Sequence, residues 1–251
     1  MDTDAGQAFA KLLGGNEGPH ILACELVGTQ LAALLGLPVL DWVLLDYAPP
    51  PELKFKSGAE ARAGTAWITR KVNGFVWGGD KADLQYIHNQ PDIARLVLLD
   101  QWTRNCDRYR PPPRLRVNQN NVYLCREGAP AGKLVLMAMD HTHILTCGAP
   151  LGRDLAKIDF VKDATAFGLF PEFEDSIRRE EGIIRREDAA AAADTLAAVS
   201  DQALHDIVST IPTDWDVAAP VRAAMEDFLR QRRDWLANRF VNHLFPQGEL
   251  F

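Results

Sequence analysis

Cysteine is scarce in this chain: Cys24, Cys106, Cys125 and Cys147 are the only 4 in 251 residues, and none stands in a Cys-x-x-Cys pair or at zinc-ligand spacing from neighbouring histidines. That excludes a disulfide-stapled secreted scaffold and a structural zinc module, and the thiols read as reduced ones in a cytoplasmic protein. Long apolar runs are missing as well. The longest, Leu31 to Leu45, is broken by Gly36, Pro38 and Asp41, short of the roughly 20 apolar residues that a membrane span needs. Met1 to Gly6 is acidic and polar, unlike the basic start and apolar core of a secretory signal. Positive charge is in deficit, with Lys+Arg 27 against Asp+Glu 34 and a net charge of -7. A phosphate backbone rewards the opposite balance, so a general nucleic-acid binder is disfavoured and only a local basic patch stays open.

What is present supports a packed core. With 47% hydrophobic residues the chain can bury one sizeable core, or two small ones sharing a cleft. Ala8 to Leu13 reads as a strand ending at Gly14-Gly15-Asn16, and Ile21 to Leu35 as a helix opened by Pro19 and closed by Gly36 and Pro38. Pro38 to Tyr47 and Gly64 to Val72 read as two further strands, with the Pro49-Pro50-Pro51 triplet between them and a turn at Asn73-Gly74. Pro91 to Trp102 is apolar on most faces, which predicts a buried helix. Tyr109 to Gln119 reads as a basic, proline-rich loop, Val122 to Cys125 and Leu134 to Met139 as short strands, and everything after Arg153 as helical, ending in a long segment from about Val217 to Leu244. The expected organisation is a small mixed α/β lobe, residues 1–73, joined to a larger, mainly helical lobe, residues 74–251. A ligand would sit between them.

Three short stretches carry the chemistry: Asn105-Cys106-Asp107-Arg108, Asn120-Asn121-Val122-Tyr123-Leu124 and Met139-Asp140-His141-Thr142-His143. Each adjoins an apolar run, so two carboxylates and a carboxamide are set at the ends of strands and a helix. Such a set can orient a hydroxyl and hold magnesium on a nucleotide. Upstream, Glu25 lies among Ile21, Leu22, Leu26 and Val27; a carboxylate buried there needs a cationic partner, and Lys11 is the candidate. His141 and His143 fall on opposite faces of an extended segment, which argues against a shared zinc and leaves His141 to pack beneath the loop. A carboxylate beside Cys106 discourages its thiolate.

In their order and context these residues resemble the HipA-like kinases, within the wider protein-kinase and phosphoinositide-kinase-like fold. The likeness runs from about Gly6 to Leu145. It rests on Lys11 before the Glu25 helix and Leu35-Gly36-Leu37-Pro38, on Asn105-x-Asp107-Arg108 after a buried helix, and on Met139-Asp140-His141 after a strand. The resemblance implies a two-lobed α+β fold that uses ATP and Mg2+. Lys11 would contact nucleotide phosphates with Glu25 as its partner, Asp107 would be catalytic, Asn121 and Asp140 would hold metal, and Ile68 to Val72 would be the lobe connection meeting the adenine ring. The implied reaction passes the γ-phosphoryl group to a hydroxyl, most simply a serine or threonine of a protein substrate.

The chain departs from that pattern in three places. Asn121 lies far beyond Asp107, across a Pro-Pro-Pro-Arg insertion, which keeps Asn118 and Asn120 open as metal ligands. Only ten residues precede Lys11, too few for the usual phosphate-covering hairpin, so either that loop is missing or the natural start lies upstream. Thr142 stands where glycine is common. Two rival readings follow: a nucleotide-binding pseudokinase or scaffold that regulates a partner, and a small-molecule or lipid kinase. Arg104, Arg108, Arg110, Arg114 and Arg116 cluster in an otherwise acidic chain. They read as a docking surface for an acidic or phosphorylated substrate, with Arg108 the member expected to pair with a nearby acid. The mixed run from Glu174 to Asp188 reads as a solvated helical face.

Overall fold

A computed structural model of the chain describes residues 1–3, 6–177 and 182–246. Its first layer is an antiparallel sheet of β1 (Asp2–Thr3), β2 (Gly6–Leu13), β3 (Trp42–Tyr47) and β4 (Arg62–Arg70), in the order β1-β2-β4-β3. Helix α1 (His20–Leu34) follows β2. Its apolar residues, Leu22, Leu26, Val27 and Leu31, are buried together with Leu13 and Trp67 of the sheet. Leu35 ends it in helical geometry and Gly36 then takes φ +78, the left-handed value that a side chain would resist.

A second sheet comprises β5 (Gly74–Val76), then, beyond α2 (Lys81–Leu84), α3 (Pro91–Thr103), β6 (Tyr109–Arg110) and β7 (Arg116–Val117), the strands β8 (Val122–Cys125) and β9 (Val135–Ala138). Its order is β5-β8-β9, while β6 and β7 pair with each other as a separate ribbon. Helix α3 has Pro91 in its first turn, where the missing N–H is harmless. It is buried from Asp92 to Thr103 apart from Arg95. The remaining elements are α4 (Ile144–Cys147), α5 (Ile158–Val161), α6 (Pro171–Ile177), α7 (Arg186–Ala197), α8 (Asp201–Ser209), α9 (Ala219–Ala237) and α10 (Phe240–Leu244). Helices α7 and α9 pack on α3 and complete the larger layer.

Several expected elements differ in extent. The strand expected from Pro38 begins at Trp42, because Val39 makes only an isolated parallel bridge to Ala138 of β9. The expected loop from Tyr109 to Gln119 contains the β6–β7 ribbon, and the long final helix breaks at Asn238 and Arg239 into α9 and α10. A β1–β2 pairing, Asp2 with Gln7 and Thr3 with Gly6, precedes Lys11. In the acid-base run, Arg178 to Glu181 lie outside the described residues. All four cysteines are free, and among the described residues no helix is long and apolar enough to cross a membrane.

The two layers are also tied at the back. Trp215, fully buried, donates its indole N–H to the Thr65 carbonyl at 2.9 Å, and Asp214 accepts the Thr65 backbone N–H at 2.7 Å. Gln30 of α1 donates to the Thr210 hydroxyl at 2.8 Å. The first sheet is therefore pinned on one side to the helical part and open to a cleft on the other.

Candidate active site

Lys11 sits on β2 opposite Trp67 of β4, just before an irregularity in the pairing at Leu13. Its Nζ lies 2.9 Å from Glu25 Oε2 and 3.0 Å from Asp140 Oδ1. Burial works against the ammonium, yet the two carboxylates outweigh it and raise the Lys11 pKa above its ordinary value. Glu25, buried on α1, also accepts the His141 backbone N–H at 2.7 Å, so one carboxylate holds both the strand lysine and the loop after β9. That close approach depends on Gly28, where a Cβ would stand 2.3 Å from His141 Cβ. His141 is fully buried beneath the loop, and burial drives its imidazole well below the usual range.

Asp140 takes φ +56, a left-handed conformation rarely adopted by a residue with a side chain and often found at functional loops. Burial would raise its pKa, but the Lys11 ammonium and the Thr142 hydroxyl, at 3.0 Å each, bring it below the ordinary carboxylate value. Thr142 spends its one proton on Asp140, so in the 2.9 Å contact between Thr142 and His143 the ring Nδ1–H is the donor.

Asp107 lies in the loop after α3. Arg104 ends that helix at φ 55, and Asn105 then shapes the loop, donating to Asp100 Oδ1 at 3.0 Å while accepting the Asp107 N–H at 3.2 Å. Arg108 forms a fully buried ion pair with Asp100, as the sequence suggested, and donates to the carbonyls of Asn121 at 3.1 Å and Met139 at 2.7 Å. One guanidinium thus joins the three stretches singled out by their chemistry. Asp107 Oδ2 accepts from Asn121 at 2.8 Å and from Asn118 at 3.2 Å, and Arg116 pairs with Oδ1. Asn118 also donates to Asn121 Oδ1 at 3.1 Å, whereas Asn120 is exposed.

These side chains converge. Lys11, Asp107, Asp140, Thr142 and His143 line one cavity of about 540 Å³, whose far wall is Phe55, Lys56 and Ser57. A second cavity of about 430 Å³ shares Ala10, Lys11 and Asp140 with it and is walled by Trp67, Thr69 to Val72, Tyr123 and Met139. The cleft has a largely apolar end beside residues 69–72 and a charged end at Asp107, with the Lys11–Asp140 pair between. Glu25 borders the apolar side, and Asn121 is buried behind Asp107. Asp140 and Asn121 supply oxygen donors of the kind magnesium accepts, and magnesium takes few protein ligands and completes its shell with water and phosphate. Of the two, Asp140 lines the cleft, whereas Asn121 lines neither cavity and its Oδ1 accepts from Asn118, so the pair fits such an ion only if Asn121 gives up that bond.

Sequence reasoning missed the placement of three residues. Arg116 had been grouped with the docking arginines but reaches Asp107, because the β6–β7 ribbon folds the insertion back. Lys56 and Ser57 sit at the tip of a loop closed by Phe55 N–H to Ala59 carbonyl at 2.9 Å and Gly58 N–H to Phe55 carbonyl at 2.9 Å, far from any recognisable motif. Only the turn chemistry of Ser57-Gly58 hinted at that loop.

No protein-family model matches the chain, and no curated protein does. Among solved structures it is similar to the Helicobacter pylori proinflammatory kinase CtkA, with a TM-score of 0.58 over 98% of this chain and 90% of that one, at 11% sequence identity. This is a two-lobed, kinase-like fold. At that identity the likeness speaks for the kinase-like architecture alone, and the roles of individual residues rest on the geometry above.

Proposed function

We propose that this chain is a HipA-like kinase, an ATP- and magnesium-dependent phosphotransferase acting on a hydroxyl, most simply a serine or threonine of a protein. The single observation carrying this reading is that Lys11, Asp107 and Asp140, separated by up to 129 positions, line one cavity. In this reading residues 1–73 and 74–251 are the two lobes, and the base lies against Trp67 and residues 69–72. Lys11, fixed by Glu25, binds phosphate oxygens. Asp140 and Asn121 hold magnesium, which when bound offsets charge on the phosphates.

Asp107 positions the acceptor hydroxyl for in-line attack. As the new bond from acceptor oxygen to the γ-phosphorus forms, the bridging bond to the β-phosphate breaks, its electron pair leaves with ADP, and the hydroxyl proton passes to Asp107. Arg116 and Asn118 hold that carboxylate in place. Incubation with γ-labelled ATP and separate protein, lipid and metabolite pools tests the reading. Label should enter the protein pool, and Asp107→Asn or Asp140→Ala should lower transfer by about 100-fold or more, the scale of losing one charge-stabilising group. Transfer that survives Asp140→Ala would remove that residue from the reaction.

A second reading, a nucleotide-binding pseudokinase that regulates a partner, is favoured by one observation. Asp107 is engaged by Arg116, Asn118 and Asn121 together, which leaves it little freedom to accept a proton. Magnesium-dependent stabilisation by ATP without label transfer would select it.

A further inference from the structure

Beside the cleft lies a pocket of about 450 Å³ that the phosphotransfer reading does not use. Arg104, Arg110, Arg114, Arg153 and Lys157 line it against one carboxylate, Asp154, in a chain whose formal net charge is -7. Two of the cations are already matched: Arg104 pairs with Asp163 at 2.9 Å and Lys157 with Asp154 at 2.8 Å. Among the described residues, Arg110, Arg114 and Arg153 have no carboxylate partner. Keeping like charges together without counterions is unfavourable unless an anion arrives, and guanidinium forks bind carboxylate and phosphate geometry in pairs of hydrogen bonds.

The pocket is linked to Asp107 through the short ribbon. Arg110 stands directly opposite Arg116 on the β6–β7 ribbon, and Arg116 holds Asp107. Cys147 lines the pocket and donates its thiol to the carbonyl of Arg104, three residues before Asp107, at 3.7 Å. The neighbouring Cys106 thiol, working against burial and helped by Arg104 and Arg110, lowers the Cys147 thiol to about 7. Of the five arginines that cluster in the sequence, three therefore face this pocket. Arg108 is consumed by Asp100 and Arg116 by Asp107.

We propose that this pocket binds an anionic side chain of the protein acceptor, a carboxylate or phosphoryl group near the hydroxyl that Asp107 addresses. It would set which serine or threonine is presented. This assignment rests on the phosphotransferase reading for the identity of the ligand as an acceptor, but binding itself needs no transfer.

Three fluorescein-labelled peptides of one scaffold test it by anisotropy on the full chain: a central serine flanked by neutral residues, by glutamates, or by phosphoserine. The glutamate or phosphoserine peptide should bind at least 10-fold more tightly than the neutral one, and whichever is tighter names the anion. Arg114→Glu and Arg153→Glu, both on the surface and outside the cleft, should each abolish that preference. Asp154→Asn, which frees Lys157, should strengthen it. Equal binding of all three peptides, or a preference untouched by both charge reversals, overturns the proposal. Thermal stabilisation by magnesium-ATP, measured on the same variants, separates the two readings. Stabilisation retained while peptide preference is absent refutes this pocket alone, and preference retained while ATP has no effect refutes the nucleotide reading instead.

Discussion

Glu25 carries two contacts with one carboxylate, to the Lys11 ammonium and to the His141 N–H. Glu25→Gln keeps an oxygen for His141 but removes the charge that fixes Lys11, so KM for ATP should rise by about 10-fold with little change in Tm. Steady-state kinetics against a thermal melt checks this split. The pH behaviour of the Lys11–Asp140 pair has a defined sign. Asp140 is depressed in the folded state, so its contribution to stability is present above the unfolded pKa near 3.8 and fades as pH falls below it. Lys11 is raised, so its share persists up to the unfolded value near 10.5 and is lost only above it. The Tm difference between the natural chain and Asp140→Asn should thus be constant at neutral pH and shrink below about pH 4. Cys147, lowered to about 7, should alkylate with iodoacetamide faster than the other thiols, with a rate inflecting near that pH. Burial pushes the Cys24 and Cys125 thiols up, and the hydrogen bond with Cys147, with burial next, raises Cys106.

Between elements, the tightest dependence is on glycine and arginine rather than on acids. At Gly28 an added methyl meets His141 Cβ and Cγ at 2.3 and 2.6 Å, so Gly28→Ala forces α1 away from the loop that carries Asp140. Overpacking of this kind costs about 1–3 kcal/mol, and here it should lower phosphate transfer as well as Tm. Arg108→Ala leaves Asp100 buried and uncompensated, at a cost of about 3–5 kcal/mol. In a domain of this size that is a fall in Tm of roughly 10 °C, measurable by calorimetry. Much of this level was legible beforehand. Pro91 and the all-round apolar pattern announced α3, and Pro19 with Gly36 bracketed α1, because those signals are local. The β6–β7 ribbon was not legible: its pairing is two residues long and hidden by Pro111-Pro112-Pro113, and only the tertiary reach of Arg116 to Asp107 reveals its use. The early end of the last long helix at Asn238 was likewise unmarked by proline or glycine.

At the scale of the whole molecule, the sequence conveyed an order of residues and the fold supplied their convergence. Lys11, Glu25, Asp107 and Asp140 stood out because their neighbours are apolar. The docking of Trp215 and Asp214 on β4 has no local signature, and the loop carrying Lys56 has only its Ser57-Gly58 turn, since the placement of both depends on surfaces distant in the chain. Lys56 faces the same cavity as Lys11, so Lys56→Ala should weaken ATP binding several-fold without altering stability, as titration calorimetry would record. The most direct test of the account is a crystal of the chain soaked with magnesium and a non-hydrolysable ATP analogue. Phosphates should lie between Lys11 and Asp140, the base against Trp67 and residues 69–72, and a metal ion on Asp140. A nucleotide bound elsewhere, or phosphates that leave Lys11 paired only with its two carboxylates, would contradict it.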